Sequence, residues 1–315
     1  MRKHILRIAI LGATSEISRD LISRLRFNNS YALALYSRRP SELEKWLRVS
    51  SHLKIPSSYS LTEFNRTKQY DVILNFIGAG NPLILTQVGK SILEITYKYD
   101  QLVLDYLKEY PQCRYIFMSS GSIYGENFSR PVNSKSTLPT LSSLLQSNYW
   151  YQASKLSTEI LHRELVDNAI TDLRIFNYFS HTQSIQSQFL IANIARALVN
   201  RSILVVSPEP IIRDFLHPDD FCNLVVSIIE APSKNQVVDC YSKAPISKHE
   251  LLKSLQTQLG LQFNFNNMPL TTNPTGVKTH YYSKNKFAQK LGYEPKYSSL
   301  EGITLELKAL LNRVK

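Results

Sequence analysis

Through roughly the first 180 residues, short apolar runs alternate with stretches of helical spacing, and that alternation restricts the chain to very few layouts. The runs are Ile5 to Leu11, Tyr31 to Tyr36, Asp71 to Ile77, Tyr115 to Ser119 and Asp172 to Phe176. Between them, Ile17 to Arg26, Ser41 to Leu47, Thr86 to Glu109 and Ser154 to Asn168 repeat apolar residues at helical intervals. Strands alternating with helices make parallel crossovers, so the predicted fold is α/β, a doubly wound parallel sheet covered by helices. Ligands of such a sheet sit at the carboxyl ends of its strands. After about residue 178 the pattern loosens: a helix (Ser187 to Asn200), a strand (Ile203 to Val206), a helix (Asp219 to Glu230) and a strand near Val237 to Tyr241 precede a tail punctuated by Pro245, Pro269, Pro274 and Pro295. The expected division is a sheet domain of residues 1–177, to which 203–241 return, and a small C-terminal lobe of 178–202 and 242–315. The serines of 134–147 read as a mobile loop.

Bulk properties narrow the function classes. The net charge of +12 suits an anionic small molecule, nucleic acid or an acidic membrane face. Its lysines and arginines are spread without a run or a clustered basic and aromatic surface, so most read as solvated surface and no nucleic-acid partner is expected. No apolar stretch approaches about 18 residues, so no membrane insertion is expected. The opening MRKHILRIAI is basic, then apolar, but Arg7 interrupts it and no small-x-small site follows; it reads as a first strand rather than a signal peptide. Cys113, Cys222 and Cys240 are odd in number and widely spaced, matching neither a disulfide framework nor a metal motif, which favours a reducing cytoplasm and no metal.

Three strand ends carry candidate ligand chemistry. LGATSEIS follows the first run, where a dinucleotide turn needs glycine so that backbone can approach a pyrophosphate at a helix N-terminus. Gly12 is present, while Ser15 and Ser18 hold the other two glycine positions of a GxxGxxG pattern; the segment reads equally as a plain strand-to-helix turn. The second run ends LYSRRP without a carboxylate, offering Ser37, Arg38 and Arg39, a hydroxyl and two guanidinium forks suited to a 2′-phosphate. NADP(H) is therefore the preferred cofactor, with NAD(H) possible and a solvated surface pair the alternative for the arginines. A further strand ends NFIGAG, where Gly78, Ala79 and Gly80 let the chain pass close to an adenine or ribose, or form a simple tight turn. The cofactor-binding set so defined is Gly12, Thr14, Ser15, Glu16, Ile17, Ser37, Arg38, Arg39, Phe76, Ile77, Gly78 and Lys155.

YxxxK puts a phenol and an ammonium one helical turn apart, where the cation pulls the phenol toward neutral ionisation and makes it a usable acid or base. The pattern occurs twice, at Tyr151 with Lys155 and at Tyr282 with Lys286. Tyr151 opens a helix after FMSSGSIYG, an apolar strand ending in serines, so a hydroxyl there can bond a substrate oxygen beside the phenol. The second copy lies in the irregular tail without such a partner and reads as a helix start.

Taken together, LGATSEIS, NFIGAG, FMSSGSIYG, YQASK, LRIFN, RDFLHPDDF and KLGYEPKYSSLEGI resemble the extended short-chain dehydrogenases/reductases, the nucleotide-sugar epimerase, dehydratase and reductase group, over almost the whole chain. The resemblance implies a Rossmann sheet with a C-terminal substrate-binding lobe and a homodimer through paired helices, one from Thr86 to Glu109 and one from Tyr151 to Asn168. It assigns Ser120 to orient the reacting carbonyl or alkoxide, Tyr151 to transfer the proton, and Lys155 to bind nicotinamide ribose and lower the tyrosine pKa. Asn177 and Arg213 would meet the substrate diphosphate, a structural salt bridge to the signature's acids being the alternative for Arg213. Ser122 would line the sugar site; His217 and Asp220 look fold-stabilising. Gly121 and Ser122 stand where dehydratases carry acids, and Ser122 stands where epimerase-reductases carry cysteine, so both chemistries are disfavoured. The expected function is NADPH-dependent reduction of a 4-keto-(6-deoxy)sugar nucleotide. The alternatives are nucleotide-sugar 4-epimerisation and, from another class, a catalytically silent NADP-binding regulatory or RNA-binding protein.

Overall fold

The computed structural model describes residues 5–49, 55–79, 82–125, 128–139, 149–266 and 278–314. Gly80 and most of the serine-rich stretch lie outside them. Six strands open the fold: β1 (Leu6–Leu11), β2 (Tyr31–Ser37), β3 (Ser57–Ser60), β4 (Val72–Asn75), β5 (Arg114–Ser120) and β6 (Ile170–Ile175). Four short strands follow, β7 (Asn177–Tyr178), β8 (Leu204–Val206), β9 (Ile212–Arg213) and β10 (Phe215–Leu216), before β11 (Gln236–Asp239) returns to the large sheet beside β6. The order is β11-β6-β5-β4-β1-β2-β3, parallel throughout. Ile8, Ala9, Ile10 and Leu11 are all fully buried, because helices cover both faces of a parallel sheet and leave no solvent side.

The helices are α1 (Glu16–Leu25), α2 (Pro40–Val49), α3 (Pro82–Val88), α4 (Ser91–Glu109), α5 (Trp150–Glu164), α6 (Leu190–Asn200), α7 (Pro218–Glu230), α8 (Lys248–Leu259) and α9 (Ser299–Val314). Ser15 caps α1, with Glu16 in its first turn and Arg24 in its last, both matched to the helix dipole. The single helix expected over Thr86 to Glu109 is two, separated at Gly89, whose positive φ of 53° ends α3. β3 is a strand that periodicity misses, since SSYS is polar and lies at the sheet edge.

The strand expected over Ile203 to Val206 does not return to the large sheet. β8 pairs instead with β13 (Phe263–Phe265), and β9 lies between β12 (Ile246–Ser247) and β14 (His280–Tyr281), so the return begins only with α7, which packs on α1. α6, α8 and α9 close a separate apolar cluster around Leu251, Leu255 and Leu307.

The RDFLHPDDF segment joins these parts, as its fold-stabilising reading anticipates for His217 and Asp220. Asp220 accepts the backbone N–H groups of Lys296 (2.8 Å) and Tyr297 (3.0 Å). His217 Nδ1 accepts the Asp219 N–H at the start of α7, leaving Nε2 to face Glu306 of α9 at 3.0 Å. His181 donates to the same carboxylate through both its backbone N–H (2.7 Å) and Nδ1 (2.6 Å). Burial would raise the Glu306 carboxyl, yet the hydrogen bonds from His181 and His217 outweigh it and hold the group well below the usual carboxylate range. A depressed carboxyl contributes stability above its unfolded value of about 4.5 and loses it as pH falls through the folded one. Glu306→Gln is therefore expected to melt several degrees lower than wild type at pH 7, with the gap narrowing only once pH falls below about 4.5, as read by calorimetry from pH 7 to 3.

Candidate active site

The carboxyl ends of β1, β4 and β5 bring the sequence motifs to one line. Gly12 turns the chain at φ +76° after β1, and a Cβ there would lie 2.9 Å from the Phe76 carbonyl carbon and 3.0 Å from the Ile77 nitrogen. Only glycine lets the β1 turn lie against the end of β4. Thr14, Ser15, Glu16 and Ile17 surround this turn, half-buried. The two serines in glycine positions are structural here: Ser15 Oγ accepts the Ser18 N–H, and Ser18 Oγ donates to the Gly12 carbonyl at 3.0 Å and the Ser15 carbonyl at 2.8 Å. Glu16 Oε1 accepts the Ser184 N–H at 2.9 Å, tying the helix start to the segment after β7.

From Phe76 and Ile77 the chain reaches Gly78, where a Cβ would sit 3.4 Å from Lys155 Nζ. Lys155 rises from α5, is almost fully buried, donates to the Met118 carbonyl at 2.8 Å and lies 4.4 Å above the Phe117 ring. Burial pushes its ammonium down to about 8, against the pull of Asp100, Glu159 and Asp172. Its Nζ is 5.9 Å from the Tyr151 ring centre. Ser120 ends β5, is buried, caps the 3-10 turn Gly121–Tyr124 by accepting the Ser122 N–H, and is the hydrogen-bond partner of the Tyr151 phenol. The three side chains thus converge. The expected lowering of the phenol by the lysine is not what this arrangement produces: burial raises Tyr151, and its Ser120 partner only partly offsets that. A desolvated phenolate costs more than a shared hydroxyl returns.

Around the three, the substrate candidates divide. Arg213 is largely buried, lies 5.9 Å from the Tyr281 ring and is pushed down to about 10 by desolvation. Among the described residues no carboxylate pairs with it. The signature's acids are engaged elsewhere: Asp219 holds Arg24 at 2.6 Å, Asp220 holds backbone N–H groups, and Asp214 accepts from Ser242 and Ser299. This removes the structural salt bridge considered for Arg213. Ser122 is buried and its Oγ has no partner among the described residues. Asn177 is not free to meet a diphosphate through its amide nitrogen, which donates to the carbonyls of Asp214 (3.1 Å) and Tyr281 (3.2 Å).

At the end of β2, Ser37 is 1 % exposed and its hydroxyl has no partner among the described residues, whereas Arg38 and Arg39 are exposed. Arg39 pairs with Glu42 of α2 at 3.0 Å, so of the two expected forks it is already engaged.

Sequence reasoning missed Tyr281. It sits one residue before the YxxxK copy that was read as a helix start, and a 3-10 turn does begin after Lys286. β14 pairs with β9, placing Tyr281 opposite Arg213, and its phenol is hydrogen-bonded to Ser120 and near enough to Tyr151 to feel its charge. With Phe128 and Phe176 it makes an aromatic wall, and Gly121 is small because a Cβ there would overlap the Phe176 ring at 2.3 Å. The aromatic pair in HYYSK was the available signal; the register that aims it was not.

Residues 8–241 match the model of the NAD dependent epimerase/dehydratase family. Protein CapI of Staphylococcus aureus is 19% identical, with 95% of this chain and 96% of that protein covered. Among solved structures, UDP-glucuronic acid 4-epimerase from Bacillus cereus with UDP-glucuronic acid and NAD superposes with a TM-score of 0.80 at 20% identity, covering 98% of this chain and 100% of that one. UDP-N-acetylglucosamine 4-epimerase from Methanobrevibacter ruminantium M1 gives 0.80 at 15% identity, covering 98% and 99%. With three quarters of its length matched and the Gly12 turn, Ser120, Tyr151 and Lys155 lined up along the strand ends, the chain belongs to the NAD dependent epimerase/dehydratase family, within the extended short-chain dehydrogenases/reductases.

Proposed function

We propose that the protein is an NAD(P)-dependent nucleotide-sugar 4-epimerase. The convergence of Ser120, Tyr151 and Lys155 beside Gly78 is the observation that carries this reading. The cofactor fits these residues: the glycine turn and the Ser15-capped start of α1 would hold a pyrophosphate, the Ser37 hydroxyl, without a partner among the described residues, would hold the adenosine ribose, and Lys155 against Gly78 would hold the nicotinamide ribose. When bound, the nicotinamide supplies hydride acceptance and return. Tyr151 takes the proton from the sugar's C4 hydroxyl and gives it back, Ser120 bonds the same oxygen, and Lys155 stabilises the phenolate. Arg213 holds the substrate diphosphate: its Nη1 donates to the carbonyls of Ile212 and Thr279, and no carboxylate among the described residues pairs with the guanidinium. The 4-epimerases among similar folds support epimerisation over the reduction first expected from LYSRRP. The exposed Tyr97 of α4 with Ile160 and Leu161 of α5 supports a homodimer through these helices.

The β2 end, with Ser37 and Arg38 and no carboxylate, favours a second reading, NADPH-dependent reduction of a 4-keto sugar nucleotide. The protein is assayed with UDP-glucuronic acid, UDP-glucose and UDP-N-acetylglucosamine for C4 epimers by NMR, and with 4-keto-6-deoxy sugar nucleotides for NADPH oxidation. Epimer without net cofactor turnover is expected; steady NADPH oxidation would transfer the conclusion to the reductase, and turnover of neither would overturn both. In the same assay Arg38→Ala is expected to weaken NADPH about 10-fold, roughly the loss of one charged phosphate contact, while leaving NADH unchanged.

A further inference from the structure

Behind Lys155 the protein buries more charge than the three-residue site requires. Tyr151, Lys155, Glu159 and His162 follow one another down one side of α5. His162 is fully buried between two carboxylates, with Nε2 2.9 Å from Asp100 Oδ1 of α4 and Nδ1 2.6 Å from Asp172 Oδ1 of β6. Its ring stands edge to face at 5.4 Å on Phe117, the ring on which Lys155 Nζ rests at 4.4 Å. A hydrogen-bond chain ties this bridge to the cofactor side. The Ile77 N–H donates to Asn75 Oδ1 (3.0 Å), Asn75 Nδ2 to the Tyr115 hydroxyl (2.9 Å), and that hydroxyl to Asp100 Oδ1 (2.9 Å). At its other end Asp172 accepts Arg163 Nη2 at 2.7 Å. Alongside runs a second bridge, in which Arg174 binds Glu159 and the Tyr124 hydroxyl, Ser119 donates to Glu159, and Tyr124 with Ser283 binds Asp239.

We propose that His162, clamped between Asp100 and Asp172 beneath Phe117, is a positioning residue whose charge sets the field felt by both Lys155 and the Tyr151 phenol. This rests on the Ser120–Tyr151–Lys155 reading of the site. The charged groups facing the pair are Asp100 from α4, Asp172 and Arg174 from β6, Asp239 from β11, and Glu159 and Arg163 from α5 itself, with the Tyr115 hydroxyl from β5. Four carboxylates meet four cations only when His162 and Lys155 both carry a proton. Burial alone would strip the imidazole, yet Asp100 and Asp172 hold it raised to about 9, so the balance stands at neutral pH. Neutral His162 would leave the cluster negative, and that field raises each group directly: Lys155 would hold its proton more tightly and, by the same field, Tyr151 would ionise less readily. Removing a carboxylate has the opposite sign. Eleven residues of helix separate His162 from Tyr151 by about 16 Å, and a unit charge at that distance in an effective dielectric of about 20 moves a titration by roughly one pH unit or a little less.

The test is the pH profile of kcat and kcat/KM for sugar oxidation in wild type, His162→Gln and Asp100→Asn. The rising limb governed by Tyr151 is expected to move up about one pH unit in His162→Gln and down by a comparable amount in Asp100→Asn. Equal losses at every pH with unmoved midpoints would overturn the proposal and make the bridge a packing feature. Nitrogen NMR of the wild-type histidines, with His162 assigned by difference, gives a readout independent of turnover. Both His162 ring nitrogens are expected to carry protons at pH 7, and a neutral ring there overturns the proposal even if the variants do not fold. An inactive wild type would count against the enzyme reading, whereas a neutral His162 in an active one counts against this inference alone.

Discussion

Tyr151→Phe is expected to lower kcat by about 10³-fold while leaving dinucleotide binding and melting temperature near wild type. In the proposed reaction the phenol oxygen is the group that exchanges a proton with the sugar, with Ser120 as its hydrogen-bond partner. The remaining ring keeps its place at the start of α5, so the loss falls on the reaction and not on the fold. Following epimer formation together with nicotinamide difference spectra separates the two. Activity within about 5-fold of wild type would remove Tyr151 from proton transfer, because general acid–base catalysis is worth at least about 10²-fold.

Gly12→Ala is expected to cost about 2 kcal/mol of stability and to abolish measurable dinucleotide binding. A left-handed backbone angle costs an alanine roughly 1–2 kcal/mol by itself. Here the added methyl also meets main-chain atoms of Phe76 and Ile77, which cannot rotate aside. Relief requires the β1 turn to draw back from β4, and the start of α1 moves with it because Ser18 is bonded to the Gly12 carbonyl. Chemical denaturation and isothermal titration with NAD and NADP read the two effects. Unchanged binding would show that this turn is an ordinary connection, the reading its serines leave open in the sequence.

Strands buried on both faces announce themselves, as Ile8 to Leu11 and Val72 to Leu74 do, because nothing polar interrupts them. Ser57–Ser60 is invisible by the same logic: an edge strand of serines gains its place from β2 alone. The site motifs were legible where chemistry and local structure coincide, in Gly12, Ser120, Tyr151 and Lys155. Asn177 looked like a ligand because its position was known and its partners were not; both are carbonyls contributed by distant segments. Arg39 reads as a phosphate fork in the sequence, and the structure adds an exposed ion pair with Glu42, one helical turn on. Asp100, His162 and Asp172 stand far apart in the sequence on three elements, and only the packing of α4 against α5 over the sheet makes them one object.

The grip of Asn177 on the Tyr281 carbonyl has an evolutionary corollary. The joint between sheet and lobe is fastened through main chain, so the side chain borne at 281 can be exchanged for a smaller or larger one without unfastening it. Such a joint lets the ring at this position change across a lineage while the strand that carries it keeps its register on β9.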